Sequence, residues 1–476
     1  MKNMTPELIA AACGGTYVGS DDVKQREIKG VVIDSRLVEE DFLFIPIKGA
    51  RADGHDFIPA VFAQGALAVL SERRLEDPAG AYILVEDTLT AMKRLAEYYR
   101  KTLDISVVGI TGSVGKTSTK EMIASVLAQK YNVLKTEGNL NNEIGLPLTI
   151  FKIRGYHEAA VLEMGISEFG EMERLSRMAR PDICVITNIG LCHLENLGTR
   201  DGILKAKTEC FAHLKPGGTA ILNGDDDKLC TQKTVNGRPA VFYGIGREAK
   251  RDPAAENPAA ENGALAFAEK EVYATEVTTE GLTKTSCVIH LGEEHFAAEI
   301  PIAGEHNVYN ALAAACVGKQ LGLTAEEIKR GIESVQTIGG RSNLIRKDGI
   351  TIIDDCYNAN PVSMQASIDV LANAPGRKIA VLGDMGELGE DERALHAMVG
   401  AHFAGKRIDL LLCTGRLSAE IAEAVRKESP YTAVFYFSDK AELIEKIKHW
   451  KREGDTILVK ASHFMGYAEV VRALTE

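Results

Sequence analysis

The 476 residues contain no apolar run of about 18 or more, so no bilayer-spanning helix is expected. Nine cysteines are scattered, odd in number and without a C-x-x-C pair, which indicates neither a disulfide framework nor a structural zinc site. Such thiols are expected to be reduced and mostly buried. Cations are in deficit: 55 Lys and Arg stand against 67 Asp and Glu, a formal charge of −12. A nucleic-acid binder usually carries a basic face, so that class is disfavoured, and an anionic substrate would need local cationic pockets. The opening MKNMTPELIAAACGG lacks the long apolar core and small-residue cleavage site of a secretory signal and suits an amphipathic helix. A cytoplasmic location is the expectation.

What is present is the composition of a soluble globular protein, 45% hydrophobic and 26% charged, long enough for two to four domains. Residues 1–101 mix short strands (VVIDS, FLFIPI, ALAVLS, AYILVE) with helices near 57–64 and 88–101, a small α/β unit. From ISVVGITG onward, strands at 105–109, 159–164, 183–189 and 219–224 alternate with helix-length segments, beginning with 116–129. That alternation predicts a parallel sheet wrapped on both faces, over 102–338. The Pro-, Ala- and Glu-rich stretch 246–265 reads as an exposed insertion, and 272–302 as hairpin-like, followed by helices at about 306–321 and 325–335. Adjacent glycines in TIGGR, 337–341, suit a hinge. Beyond it GITIIDD, KIAVLGDM, DLLLCTG and DTILVKAS predict four strands of a second, doubly wound α/β unit over 339–476.

The stretch GITGSVGKTSTKE, 109–121, is a strand ending in a Gly-rich turn that opens a helix. Such a turn aims backbone N–H groups and the positive end of the helix dipole at an oligophosphate. Lys116 would reach the outer phosphates and Thr117 would hold magnesium through its hydroxyl. The pattern is a variant, because Ile110 occupies the position of the first glycine and the glycines are Gly112 and Gly115. Glu163 ends the strand AAVLEM and His193 follows ICVITNI, so both sit at the carboxyl edge where α/β sheets place ligands. Asn139, Asn141 and Asn142, with Thr136, are either turn residues or a donor-rich wall for a sugar or peptide.

Taken together, TGSVGKTSTKE, GNLNNEIGLPLT, EMGIS, ITNIGLCHLENLG, KAKTE, GEHNVYNALAA, GGR and IIDDCYNANPVSM resemble the Mur ligases of bacterial cell-wall synthesis, along the whole chain. NLNNEIGLPLT, DDCYNANP and GDMGELGE look most like the family member that adds D-alanyl-D-alanine to a UDP-N-acetylmuramoyl-tripeptide. The resemblance implies three α/β domains: an N-terminal UDP-sugar domain, a central P-loop domain that binds ATP, and a C-terminal Rossmann-like domain. It implies an ATP- and Mg2+-dependent, ADP-forming amide ligase that works through an acyl phosphate. An amide ligase must make a carboxylate electrophilic, and transfer of the γ-phosphoryl group of ATP does so, with charge neutralisation and positioning supplying the rate.

The residues follow from the same resemblance. Lys116, Glu163, His193 and Lys207 are the catalytic set, and Thr117, Glu163, His193 and a carbamylated Lys207 the metal ligands, Lys207 being preferred to Lys205 for its place in AKTE. ATP is expected at Gly112, Ser113, Gly115, Lys116, Thr117 and Ser118, with Asn307 and Asn310 bordering adenine and Arg341 and Asp355 reaching phosphate and ribose. Ser35, Arg36, Lys48, Gly49, Asp53, Gly54, His55 and Phe57 match the UDP-sugar module, Thr136, Asn139, Asn141 and Asn142 the central substrate wall. Asn358, Asn360, Asp384, Met385, Glu387 and Leu388 match contacts to the dipeptide and the peptide end of the nucleotide. A monomer without nucleic-acid or membrane partners is expected. The chain departs from the family near its end, where KASHFMG puts Ala461 and His463 in place of Gly and Arg. Two other readings are the sister ligase that adds the third peptide residue, whose DNPR motif is absent here, and a P-loop regulatory NTPase, which leaves the flanking domains unexplained. Folate polyglutamylation, a further relative, gives no reason for the first domain.

Overall fold

The structure is a computed structural model that describes residues 1–49, 52–246, 270–337 and 339–476; the stretch read as an exposed insertion lies, from 247 on, outside the described residues. Three main sheets follow one another along the chain.

The first has five strands in the spatial order Thr16–Val18, Ala81–Leu84, Ala68–Ser71, Phe42–Phe44, Gly30–Val32. All neighbours are parallel except Thr16–Val18, which runs antiparallel at the edge. That edge strand carries no apolar run, and its pattern did not announce it. Helix Thr88–Thr102, capped by Asp87 accepting from Thr90 N at 2.6 Å, carries the chain out of this sheet. Its buried Arg100 donates to Ala179 O at 2.9 Å and lies 3.5 Å from Asp182, and Tyr99 donates to Ile153 O at 2.6 Å. These bonds satisfy buried carbonyls of the next unit, and the two units share one apolar core that runs from Met4 and Leu43 to Leu146 and Ile186.

The second sheet has nine strands. Seven are parallel, in the order Val272–Glu280, Val241–Ile245, Thr219–Asn223, Ile183–Ile186, Ser106–Thr111, Ala159–Glu163, Val133–Lys135. The region read as hairpin-like is a three-strand meander: Lys284–Leu291 and Glu294–Ile300 add to Val272–Glu280 antiparallel. Its inner face (Ala274, Cys287, Ile289, Ala298) packs with the nearly wholly buried helix Glu305–Gln320. At the turn of the meander Leu282 is buried in the apolar cluster of the third sheet.

The third sheet has six strands, in the order Asn343–Lys347, Ile350–Asp354, Thr456–Lys460, Lys378–Leu382, Leu410–Thr414, Ala433–Phe437. The four apolar strands read from sequence are its parallel centre, and the two further strands are half-exposed edges. Gly340, in the link between the two sheets, adopts φ 77°. The carboxyl ends of the central strands of both sheets open toward a common space.

Candidate active site

Strand Ser106–Thr111 runs directly into the glycine turn, and helix Lys116–Leu127 leaves it. Gly112 has φ 149° and a Cβ there would lie 1.9 Å from Thr187 Oγ1, while Gly115 has φ 83°. Neither position accepts a side chain without displacement. The turn is pinned by residues the sequence reading did not single out. Asn188 O accepts from Ser113 N and Asn188 Oδ1 from Val114 N, both at 3.0 Å, and Thr187 Oγ1 donates to Val114 O at 2.6 Å. Lys116 Nζ arches back to donate to Gly112 O at 2.8 Å. The first-turn amides of the helix have no acceptor within it and face the cleft with Ser113, Thr117 and Ser118.

Glu163, almost wholly buried, is held on every side. Thr117 Oγ1 donates to Oε2 at 2.9 Å, Asn141 Nδ2 to Oε1 at 2.8 Å, and the Glu163 amide donates to Thr136 Oγ1 at 3.0 Å. Of the three asparagines read as turn or wall, Asn142 is a turn residue, its Oδ1 accepting from Ile144 N and Gly145 N. Asn141 orients the carboxylate, and Asn139 Oδ1 accepts from Asn141 Nδ2 at 2.9 Å. Lys120, also unremarked in sequence, is buried beneath this group.

His193 Nδ1 lies 2.5 Å from Glu387 Oε2 of the third sheet, and that contact holds the Glu387 carboxyl below the usual range. Lys207 is fully buried and its Nζ has no hydrogen-bond partner among the described residues. Burial lowers its ammonium to about 8. Lys205 is exposed, 5.7 Å from the Phe169 ring. Among the described residues no three His, Cys, Asp or Glu side chains cluster closely enough to hold a metal ion. The four expected ligands include only two side chains of those types, Glu163 and His193. The four do fit a metal site in part: a buried carboxylate already bonded to the loop hydroxyl, and a buried amine without a partner.

Asn307 and Asn310 form a buried relay. Asn307 Nδ2 donates to Ala303 O at 2.9 Å, Asn310 Nδ2 to Asn307 Oδ1 at 3.0 Å, and Thr119 Oγ1 to Asn310 Oδ1 at 2.8 Å. Across from them Arg341 stacks 4.2 Å over the Tyr357 ring. Asp355 is crowded by donors: Lys460 Nζ and Ser367 Oγ, each at 2.6 Å on Oδ2, and Ser342 N at 3.0 Å on Oδ1. Lys460 is buried and opens the divergent KASHFMG run, whose His463 packs 5.5 Å from Tyr357.

These walls enclose a cleft of about 1150 Å³ between the second and third sheets. Drug-sized ligands occupy roughly 300–1,000 Å³, so there is room for a nucleotide and a second reactant. From the glycine turn, Glu163 and His193 it extends to Arg341, Asp355, Asn358, Asn360 and Glu387.

Several expected contacts are turned elsewhere. Asp384 is buried and its Oδ1 accepts from Leu417 N and Ser418 N, capping the chain into the next helix; Met385 and Leu388 are buried in the third core. None of these three lines the cleft, because their side chains serve the sheet behind it. Asn360 lines it but also caps helix Pro361–Ala372 in a capping box with Ser363.

Among the described residues none of the cleft lining comes from residues 1–101. There His55 is buried: its Nε2 accepts from Glu72 N at 3.1 Å, so its proton is on Nδ1, which donates to Asp53 at 2.7 Å. Asp53 also accepts from His55 N and is held low chiefly by that bond. His55 and Asp53 are thus loop-builders, as is Gly54, where a Cβ would lie 2.6 Å from Ile47 N. The backbones of Lys48 and Asp53 pair in an isolated antiparallel β-bridge, and Gly49 N donates to Ala52 O. Arg36 is exposed on Asp34, Ser35 starts the same turn, and Phe57 is exposed, leaving these three facing outward or partly so.

Comparison with known proteins adds to this geometry. The Mur ligase family, catalytic domain matches residues 27–100, the Mur ligase middle domain 110–318, and the Mur ligase glutamate ligase domain 340–463. A UDP-N-acetylmuramoyl-tripeptide--D-alanyl-D-alanine ligase of Bacillus subtilis is 40% identical over 100% of this chain and 99% of its own length. Its namesake in Escherichia coli is 35% identical over 96% and 97%. The crystal structure of MurF from Acinetobacter baumannii superposes with TM-score 0.85 at 33% identity, covering 99% of this chain and 98% of that one. MurF from Thermotoga maritima in complex with ADP gives 0.79 at 31%, over 94% and 97%.

Proposed function

This chain belongs to the Mur ligase family, and on that premise we propose that it is an ATP-dependent ligase joining D-alanyl-D-alanine to UDP-N-acetylmuramoyl-tripeptide, a step of peptidoglycan synthesis. The observation that carries this reading is the cleft itself, with a phosphate-binding turn and an oriented carboxylate on one wall and Arg341, Asp355 and Lys460 on the other. Residues 1–101 form the UDP-sugar module, 102–338 the ATP module and 339–476 the module that brings the dipeptide, in a chain acting as a monomer in the cytoplasm. No helix of the described residues is long and apolar enough to cross a membrane.

The residues act as follows. The β- and γ-phosphates of ATP lie on the amides of Gly112, Ser113, Gly115, Thr117 and Ser118, and Lys116 exchanges Gly112 O for the outer phosphates. Asn307 and Asn310 border the base, Arg341 meets phosphate and Asp355 the ribose. Thr117, Glu163, His193 and a carbamylated Lys207 would hold Mg2+, which when bound neutralises charge on the transferring phosphoryl group. Lys207 suits carbamylation because its buried amine gives up a proton easily: nitrogen adds to the carbon of CO2, a proton leaves, and a cation becomes an anionic oxygen ligand. The terminal carboxylate of the tripeptide, with its UDP end on Ser35, Arg36, Lys48, Gly49 and Phe57, takes the γ-phosphoryl group and ADP departs. The dipeptide amine, placed by Asn358, Asn360 and Glu387, then attacks the acyl carbon and phosphate leaves. Closure of the third module on the TIGGR link keeps water from the acyl phosphate.

Incubation with ATP, Mg2+, the UDP-tripeptide and D-alanyl-D-alanine should give ADP, phosphate and the UDP-pentapeptide in equal amounts, with an 18O label in the tripeptide carboxylate passing to phosphate. ADP release at full rate without either peptide component would overturn the reading.

A further inference from the structure

Lys120 is used by none of the steps above, yet it is one of the most buried cations in the chain. It lies one helical turn beyond Lys116, and its Nζ donates to Thr136 O at 2.6 Å. The same ammonium is 3.1 Å from Glu121 Oε1 and 3.9 Å from Glu163 Oε2, the oxygen that accepts from Thr117. Thr136 in turn accepts from the Glu163 amide, so Lys120, Thr136, Glu163 and Thr117 form a closed ring joining the helix of the glycine turn to the strand that carries the carboxylate. Glu121 is shared with Lys135, which leaves the group of Lys120, Lys135, Glu121 and Glu163 with two charges of each sign.

We propose that Lys120 is a positioning residue for Glu163: its buried ammonium shares the carboxylate and balances its charge, so that the site holds a divalent ion weakly until nucleotide phosphates arrive with it. The inference rests on the reading of Glu163 as a metal ligand. A fixed cation this close repels an incoming cation and competes for the same oxygen, in a region where water screens little. The oxygen stays aimed at Thr117 because Lys120, on the same helix as Thr117, ties that helix to Thr136, whose hydroxyl accepts from the Glu163 amide. A divalent ion accompanied by the anionic phosphates of ATP brings its own compensation and overcomes that repulsion.

An ordinary buried ion pair predicts something different. Its loss leaves carboxylates without compensation and weakens fold and site together. The two accounts therefore differ in the sign of a binding change. The test is Mn2+ binding to full-length, nucleotide-free protein, followed by electron paramagnetic resonance, in the wild type, Lys120→Met, Lys120→Gln and Lys120→Arg. Gln keeps a donor toward Thr136 O while removing the charge, which serves if Met does not fold. Expected are about tenfold tighter Mn2+ binding in the Met and Gln forms, binding close to wild type in Arg, and at least about tenfold lower kcat in Met with ATP present. Unchanged or weaker Mn2+ binding in a folded Met or Gln form would overturn the proposal. Glu163→Gln separates it from its premise: if that change leaves Mn2+ binding to the ATP-loaded enzyme intact, it is the assignment of Glu163 as ligand that falls.

Discussion

His193 and Glu387 meet across the boundary between the second and third sheets, Nδ1 to Oε2 at 2.5 Å, and both residues have left-handed backbones, φ 52° and 61°. The contact is reinforced by Leu194 N donating to Glu387 O at 3.1 Å. Non-glycine residues in that region carry a local cost that surrounding contacts must offset. Both are therefore held in place by the juxtaposition of the two sheets.

Glu387→Gln should loosen this clasp. Its carboxyl is lowered chiefly by the hydrogen bond from His193, so the contribution of that contact is in place above the ordinary carboxylate range and fades as pH falls through the lowered value. Small-angle scattering of nucleotide-free protein should show a wider particle for the variant at pH 7. The wild type should approach it only in acid. Identical profiles at both pH values would show that the clasp does not hold the sheets.

Lys207 yields a stability prediction of definite sign. Its ammonium is lowered from 10.5 to about 8, so between those values the unfolded chain binds more protons than the folded one. Stability then rises with pH across that window, and at neutral pH the buried ammonium costs on the order of 3 kcal/mol. In CO2-free buffer at pH 7, Lys207→Met should raise the urea midpoint while abolishing ligation, and the gain should vanish above pH 10.5. Added 13C-bicarbonate should give a carbamate resonance in the wild type and none in the variant.

Gly112→Ala should weaken nucleotide binding far more than it weakens the fold. A Cβ 1.9 Å from Thr187 Oγ1 pushes the hydroxyl that donates to Val114 O, and so moves the turn. A KM for ATP raised by about 100-fold, roughly 3 kcal/mol, is the expected result with little change in Tm.

What the sequence disclosed follows from where its signals lie. GITIIDD, KIAVLGDM and ICVITNI were readable because central parallel strands are covered on both faces and become continuous apolar runs. Thr16–Val18 and Asn343–Lys347 are half-exposed edges and carry no such run, whereas the edge strand Ala433–Phe437, AVFYF, is apolar throughout although half-exposed, and the sequence reading passed over it. Likewise Lys116 and Thr117 are legible from local spacing around one turn, and Glu163 from its place at the end of its own strand. Thr187, Asn188 and Lys460 act through neighbours distant in sequence, as Lys120 does toward Thr136 and Glu163, so no window of residues reveals them. Asp384 and His55 sit in motif-like loops, but their polar atoms are consumed by helix and loop amides, a fate that depends on burial.

Leu282 tests how the third module is held. It lies at the turn of the meander yet is buried among third-sheet residues, so its truncation removes apolar contact between modules and leaves each core intact. Leu282→Ser should cost about 1–3 kcal/mol at that junction. The expected signature is faster proteolytic cleavage near the TIGGR link and a higher KM for ATP, with kcat at saturation nearly kept.

His55 distinguishes a contact residue from a builder of the contact loop. Both ring nitrogens are occupied, Nδ1 by Asp53 and Nε2 by the Glu72 amide, in a buried position. Removing the ring leaves a buried amide without its acceptor, which costs about 1–3 kcal/mol. His55→Ala should therefore lower the stability of the first module and raise the KM for the UDP-tripeptide, leaving the KM for ATP alone because no residue of 1–101 lines the ATP cleft among the described residues. Asn at this position can still offer the Glu72 amide an oxygen acceptor, so His55→Asn should recover part of the stability and of the KM together. Recovery of one without the other would mean that the ring touches the substrate directly.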